Sequence, residues 1–504
     1  MVLGPWPTLV IMRARLISGA AVAATAAAII SVPIPGQAAP PAAAAAWGWS
    51  QTPAVTVENG PADGSITGNP GVSAMGQTVM YAWSKNPDVG SADPVIGRKR
   101  STDGGQTFPT GYSTGDTSFS TTTRLKDGSL LDVAFIPVSV ASTTSVNLRV
   151  KKSTNDGVSW TPVASTLTTT SGLTWGGMNR GLRVNQGMIS DAAGNLYLSY
   201  YTRYTGDPGT RTEVAISRDK GVTWTRYGPI IQSSATQQYN EAGIAWAPNG
   251  EMVAVVTQDE VVPAGSSRKH IKLITARSAN GQTWTGHKVL PISYDPGYSI
   301  RPGSDGVRRY GVSPSLVLLG NGAMTLRFGR PDNWFAISTD GGNSFIQARR
   351  TYVNYPSSGN PYHGSSGNGN HAAVAADRVI VVGDNCAPSW GCPAGDSGFT
   401  VDNKYRVWKK FITVTRPAAG AKLALTTGRA SFAQPRRLKE IGMRLEYGVT
   451  SDARVEGLVD GQWREIARFD DIKGFCLSYQ KVDATVTQVR VVGSSTVSEV
   501  ELYS

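Results

Sequence analysis

The stretch Ser217-Arg218-Asp219-Lys220-Gly221-Val222-Thr223-Trp224 is written five times along this chain. The other copies run from Ser101 to Phe108 (STDGGQTF), Ser153 to Trp160 (STNDGVSW), Ser278 to Trp284 (SANGQTW) and Ser338 to Phe345 (STDGGNSF). The shared pattern is S-x-D-x-G-x-[ST]-[WF]. It is strict in the first, third and fifth copies, has Asn155 for the Asp in the second, and loses one residue in the fourth. A short acidic side chain accepts hydrogen bonds from the N–H groups of its own tight turn, and the glycine supplies a positive φ there. The hydroxyls tie the flanks, and the closing aromatic gives the hairpin an apolar plug. Copies start 52, 64, 61 and 60 residues apart. Self-similarity at that spacing means one supersecondary unit per copy in a repeat architecture.

Between the copies a second element recurs: strand, Gly-containing turn, strand. Met75-Gly76, Asp127-Gly128, Gly194-Asn195, Asn249-Gly250, Asn321-Gly322 and Asp377-Arg378 occupy that turn, the last without its glycine. The segments that follow are rich in β-branched and aromatic residues and read as buried strands: 78–83, 130–135, 196–201, 252–257, 323–328 and 379–383. Six turns predict six units. The sixth has no box, its third strand is expected at Tyr405 to Val414, and Thr52 to Glu58 alternates as a strand that could close a ring from the N-terminal side.

The repeated turn resembles the Asp-box of the sialidase superfamily. That resemblance implies an all-β fold, a six-bladed β-propeller over 47–416, with each box between the outer two strands of a blade. It says little about chemistry, since boxes sit on the rim and one fold hosts several functions. From Pro417 to Ser504 no box occurs; short strands such as Val455 to Val459 and Val486 to Val492 lead to Val497-Ser498-Glu499-Val500-Glu501-Leu502-Tyr503. This ending resembles the last strand of discoidin-like jelly rolls, which implies a small C-terminal β-sandwich module, either glycan-binding or purely a docking and stability domain.

The chain carries 48 basic and 36 acidic residues, and 57 Gly with 29 Pro suit a turn-rich protein. Arg13 and Arg15 open a segment with the charged, apolar and small-residue parts of a secretory signal peptide, over residues 1–39 with cleavage between 38 and 46. A secreted, extracellular protein is therefore expected, with a net charge of about +10 after removal of those two arginines. The surplus fits a solvated surface or attraction to acidic glycans. No run of five Lys or Arg occurs, which argues against nucleic acid, and no later apolar run is long enough for a membrane span. Cys386 and Cys392 enclose a five-residue loop and are candidates for a disulfide, leaving Cys476 odd. A monomer is expected, with no cofactor and no metal ligands; a structural calcium on backbone oxygens would leave no mark in the sequence.

In a ring of such units the inner strands begin at the mouth of a central funnel, so residues just before them converge. The candidates are Asn69; Thr122 and Thr123; Arg180, Arg183, Asn185 and Gln186; Tyr239, Asn240 and Glu241; Arg309, Tyr310 and Ser313; and Asn368, Asn370 and His371. Loops add Asp88, Asp93, Arg301 and His363. Sialidases clamp a sugar carboxylate with three arginines and cleave with a Tyr–Glu pair and an Asp acid/base. By resemblance, Asp88, or else Asp93, takes the acid/base position and Glu241 that of the partner Glu. The rest of the set departs: Gly68-Asn69-Pro70 replaces the Arg-Ile-Pro of the first blade, Gln258 stands where a second arginine is expected, and Asn368 to His371 lacks the nucleophilic Tyr. Arg327 or Arg330 could supply one clamp, which is no triad.

Ordinary sialic-acid hydrolysis is therefore not expected. The residues leave three functions open. The first is an exo-acting glycoside hydrolase on terminal, anionic sugars, with Asp88 and Glu241 as a carboxylate pair. The second is a lyase eliminating at a uronic acid with His371, His363, Tyr239 or Tyr310 and the arginines Arg183 and Arg301. The third is a non-catalytic glycan-binding propeller. For His371 the alternative is a structural histidine, for Glu241 an ion pair, and for Asp88 a turn cap.

Overall fold

The computed structural model describes residues 47–60, 67–85, 95–110, 113–116, 120–170, 172–261, 270–300, 310–330, 332–352, 365–385, 406–417, 421–422, 428–445, 450–473, 478–493 and 497–504. Every regular element among them is a β-strand.

Among the described residues, six antiparallel meanders follow one another, the second and third joined edge to edge into one ten-stranded sheet by the parallel pairing of Thr166–Thr168 with Thr223–Thr225. The first joins Thr67–Met75, Thr78–Lys85, Val95–Ser101 and Ser113–Asp116. The second joins Ser120–Arg124, Leu130–Ala134, Ser145–Ser153 and Thr161–Thr168. In the third, Leu182–Val184 and Ile189–Ser190 pair with Leu196–Thr202, followed by Arg211–Ser217 and Thr223–Ile231. The fourth runs Gln237–Trp246, Met252–Glu260, His270–Ser278 and Thr285–Val289. The fifth runs Val312–Leu318, Met324–Gly329, Trp334–Ser338 and Phe345–Arg350. The sixth has only Gly369–Ala375, Arg378–Asp384 and Arg406–Thr415 from its own stretch of chain.

The sixth meander is completed from the N-terminal side. Of the strand expected over Thr52–Glu58 only the later part forms, as Val55–Asn59 paired with Arg406–Lys409, and a second strand that was not expected, Gly48–Gln51, precedes it and pairs with Ile412–Thr415. The break falls at Thr52-Pro53-Ala54, where Pro53 has no N–H to give the ladder. Apolar clusters then link the meanders in a cycle. Second and third share Val146, Leu148, Leu182 and Leu198, third and fourth Val214, Ile216, Ile244 and Val256, fourth and fifth Val253, Val255, Leu326 and Phe328, fifth and sixth Phe335, Ile337, Val379 and Ile412. Sixth and first share Val382, Val407, Tyr81 and Trp83, while Met80 of the first meets Leu130 of the second. The arrangement is propeller-like.

All five repeats lie on the turn between third and fourth strands, and one bonding scheme holds each. In the third, Ser217 Oγ donates to Asp219 Oδ1 at 2.8 Å and accepts the Gly221 N–H at 2.9 Å, while Asp219 takes the Thr223 N–H at 2.9 Å. Asn155 and Asn280 accept the same backbone donors in the second and fourth copies. Trp224 is buried and donates back to the Gly221 carbonyl at 3.1 Å.

The C-terminal strands Arg429–Leu445, Thr450–Val459, Gln462–Lys473, Ser478–Val492 and Val497–Tyr503, with Ala421–Lys422, form one antiparallel sheet. It has its own core of Leu438, Ile441, Met443, Val455, Phe469, Val489 and Leu502.

Candidate functional site

A cavity of about 370 Å³ runs down the centre of the ring. Its wall comes from the inner strand of every meander: Val72–Ala74, Thr121–Thr123, Gln186–Ser190, Ile244–Trp246, Ser315–Leu318 and Asn370–Ala373. The strands approach closely there; a Cβ on Gly243 would stand 2.8 Å from both Ser315 Cα and the Leu316 nitrogen.

Just before this lining, three inner strands carry the same irregularity. In the first meander the register passes from Gly68↔Ser84 to Gly71↔Ala82, so Asn69 and Pro70 oppose one residue. In the fourth it passes from Tyr239↔Gln258 to Ala242↔Val256, leaving Asn240 and Glu241 against Thr257. In the fifth it passes from Val312↔Gly329 to Ser315↔Arg327, leaving Ser313 and Pro314 against Phe328. Each is a β-bulge, a device that re-aims side chains and is over-represented beside active sites. Asn69 and Ser313 take the left-handed backbone, at φ 49° and 46°.

The bulge in the fourth meander presents Glu241, which is only partly buried. Its Oε2 accepts the backbone N–H of Ser313 at 2.7 Å, and its Oε1 lies 3.4 Å from the Ser313 hydroxyl. Neighbouring acids are placed differently. Asp259 is fully buried and accepts from the Asn240 amide. Asp384 is fully buried on the Ser366 hydroxyl at 2.7 Å, and burial pushes its carboxyl up to about 6.

The other candidates divide into those at the rim and those beneath it. Asn240 is buried, bridging Thr210 and Asp259. Tyr239 belongs to the apolar cluster between third and fourth meanders, donates to Gln237 Oε1 at 3.1 Å, and has its hydroxyl pKa raised by burial. Asn370 lines the cavity and donates to the Val72 carbonyl at 3.2 Å.

His371 is buried with both ring nitrogens engaged, Nδ1 with Ser315 Oγ at 2.7 Å and Nε2 with Thr325 Oγ1 at 2.8 Å. Burial, with the charge of Arg327 second, pushes its imidazole down to about 3. It is thus a neutral link between the fifth and sixth meanders.

Arg327, considered as a clamp, is fully buried and donates to the carbonyls of Ser313 at 3.0 Å and Gly369 at 2.9 Å. Arg330 donates to the Ser366 carbonyl at 2.8 Å and keeps part of its side chain exposed. Arg180 stands at φ 57° in the turn before the third inner strand, and Tyr310 is half-buried against Phe328. Arg183 is buried on the third inner strand. Asp88, Asp93, Arg301, Arg309, His363, Cys386 and Cys392 lie outside the described residues. Among the described residues, no three His, Cys, Asp or Glu side chains converge as metal ligands.

Sequence reasoning had no means to see the bulge at Asn240-Glu241. Those at Asn69-Pro70 and Ser313-Pro314 did carry a signal, a proline inside an otherwise regular inner strand.

No family model matches this sequence, and no curated protein matches it. Among solved structures, a protein of unknown function from Dyadobacter fermentans is similar at 16% identity, over 73% of this chain and 100% of that one, with a TM-score of 0.51. An α-L-arabinanase from Penicillium chrysogenum complexed with arabinobiose is similar at 14% identity, over 73% of this chain and 98% of that one, with a TM-score of 0.48. A Hadza microbial sialidase, Hz136, is similar at 15% identity, over 71% of this chain and 68% of that one, with a TM-score of 0.46. The likeness to the Dyadobacter protein is one of fold.

Proposed function

We propose that this chain is a secreted, carbohydrate-active six-bladed β-propeller of sialidase-like architecture. It acts as an exo-acting glycoside hydrolase on terminal, anionic sugars, with Glu241 as one of its two working carboxylates. The observation that carries the proposal is the placement of Glu241: partly exposed, on a bulge three residues before the cavity-lining Ile244–Trp246, and held by the neighbouring meander through the Ser313 N–H at 2.7 Å. A carboxylate fixed at a funnel mouth is suited to general acid/base or nucleophilic work on an acetal. In this reading its counterpart is Asp88, whose place in the sequence falls between the strands Thr78–Lys85 and Val95–Ser101. The C-terminal sheet is proposed to fold over as a jelly-roll-like sandwich; in its support, the 17-residue strand Arg429–Leu445 shifts register between Ser431 and Arg436 and again between Leu438 and Glu440.

Hydrolysis is preferred to elimination because two of the four bases a lyase would draw on are already engaged. Both nitrogens of His371 are bonded to hydroxyls, and Tyr239 is buried with a raised pKa. The test is a panel of sialylated, rhamnosylated and uronate-containing glycans given to the wild type, Glu241→Gln and Asp88→Asn. Release of a terminal monosaccharide that falls by about 10²–10⁴-fold in each variant is expected. Products with the near-ultraviolet absorbance of an unsaturated uronate, or full turnover by Glu241→Gln, would overturn the proposal.

A further inference from the structure

The inner strand of the third meander ends in an anomaly. Asn185 is 4% exposed, yet neither its Oδ1 nor its Nδ2 has a hydrogen-bond partner. Leaving a buried amide unsatisfied costs about 1–3 kcal/mol per group, so native chains seldom do it without a reason. The backbone here is regular: the Asn185 N–H donates to the Ser199 carbonyl at 2.9 Å, continuing the register of Arg183↔Tyr201 and Val184↔Tyr200. Asn185 and Arg183 therefore share one face of the strand. Leu182 and Val184 take the other, in the cluster with the second meander.

The shared face looks toward the fourth meander. Ser199, opposite Asn185, donates to the carbonyl of Ala242, the residue next to Glu241, at 3.5 Å. Asn185 immediately precedes the cavity-lining run Gln186–Ser190, while Glu241 and Ser313 stand three and two residues before theirs, Ile244–Trp246 and Ser315–Leu318.

Arg183 adds a second, independent oddity. It is 6% exposed, and its guanidinium donates through Nη1 alone, to the carbonyls of Asn179 at 2.9 Å and Leu182 at 2.8 Å. It pairs with no carboxylate among the described residues, although buried arginines are ordinarily paired. Desolvation lowers its pKa, with Tyr201 opposing that shift and the neighbouring Arg180 adding to it.

We propose that Asn185 and Arg183 form the sugar-recognition subsite of the Glu241 funnel, Asn185 taking an adjacent pair of hydroxyls and Arg183 the carboxylate of the same acidic sugar. An amide offers one acceptor and one donor side by side, which matches a vicinal diol in which one hydroxyl donates and the other accepts. A guanidinium matches a carboxylate. The subsite rests on the proposed glycan-directed function and specifies its substrate as a sugar bearing both groups.

The experiment uses the full chain carrying Glu241→Gln, which prevents turnover, with D-glucuronate, N-acetylneuraminate and D-glucose as probes in titration calorimetry. The two acids are expected to bind more tightly than glucose. Adding Asn185→Leu is expected to weaken their binding at least 10-fold while leaving the melting temperature unchanged or raised, because an apolar side chain of similar size removes an unsatisfied amide. Adding Arg183→Gln is expected to abolish the preference for acids over glucose. Unchanged acid binding in Asn185→Leu, or a marked loss of stability there, overturns the subsite. Failure of the hydrolase reading is told apart by turnover. If Glu241→Gln cleaves glycans as the wild type does while Asn185→Leu loses acid binding, the subsite stands and the assignment of Glu241 falls. If cleavage depends on Glu241 but neither acid binds, the subsite falls alone.

Discussion

The backbone N–H of Ser313 reaches across from the fifth meander to Glu241 Oε2 in the fourth, at 2.7 Å. Ser313 can point its N–H there because its own φ is 46°, a conformation most side chains avoid. The backbone, more than the hydroxyl at 3.4 Å, fixes the carboxylate. Ser313→Gly should therefore keep glycan turnover within about twofold, since glycine tolerates that φ. Ser313→Val should cost about 1–3 kcal/mol of stability and lower turnover at least 10-fold. Urea denaturation and the glycan panel check both; wild-type turnover in Ser313→Val would show that this contact does not position Glu241.

The repeated turn makes a separate prediction, because its bonds differ in burial. Ser217 is buried and accepts the Gly221 N–H at 2.9 Å, whereas the Thr223 hydroxyl meets Asp219 Oδ2 at 2.6 Å in solvent. Ser217→Ala strands a buried N–H and should cost about 1–3 kcal/mol. Thr223→Val should cost less than about 1 kcal/mol, since water replaces the exposed bond. Equal losses by chemical denaturation would contradict this division of labour within the turn.

These turns were legible in the sequence because their chemistry is local: Ser217, Asp219, Gly221 and Trp224 satisfy one another within eight residues. The six strand pairs followed from a similarly local cause, β-branched and aromatic residues after a short turn that holds a glycine in all but the sixth. The surroundings of the site were less legible, because they are set between meanders. Nothing near His371 in the chain announces that Ser315 and Thr325 will occupy both its nitrogens. Nothing near Asn185 announces that it will be buried without partners, since its environment comes from residues some 14 and 57 positions away, Ser199 and Ala242.

Acid should reveal His371 and Asp384 with opposite signs. His371, held down to about 3 by burial, contributes stability that is complete above its ordinary value near 6.5 and is lost as pH falls toward 3. Asp384, held up to about 6, is disfavoured when ionised, so its penalty is full above pH 6 and disappears toward its ordinary value of 3.8. Between pH 6 and 4 the two oppose each other. Asp384→Asn should therefore steepen the fall in melting temperature on going from pH 6 to 4. His371→Leu should reverse it, giving a protein that gains stability over the same interval. Parallel melting profiles for both variants and the wild type would mean that neither group titrates as its surroundings require.

Arg416, just after the last strand of the sixth meander, packs against the C-terminal sheet. Its guanidinium lies 3.3 Å from the ring centroid of Tyr479, 4.3 Å from that of Tyr503 and 4.9 Å from that of Trp47, and it pairs with Glu440 at 2.8 Å. Two direct bonds reinforce the contact, Ser478 Oγ to the Pro248 carbonyl at 2.8 Å and Tyr479 Oη to the Asn321 carbonyl at 2.9 Å. A cation between aromatic faces is worth up to about 2 kcal/mol when desolvated, and a lysine cannot reproduce the planar stacking. Arg416→Ala should split a single calorimetric transition into two, the C-terminal sheet melting first, and should open the chain to proteolysis near residue 417. Arg416→Lys, which keeps the charge opposite Glu440, should restore less than half of the loss. A single unshifted transition in Arg416→Ala would mean that the two backbone-directed bonds alone suffice to hold the sheet in place.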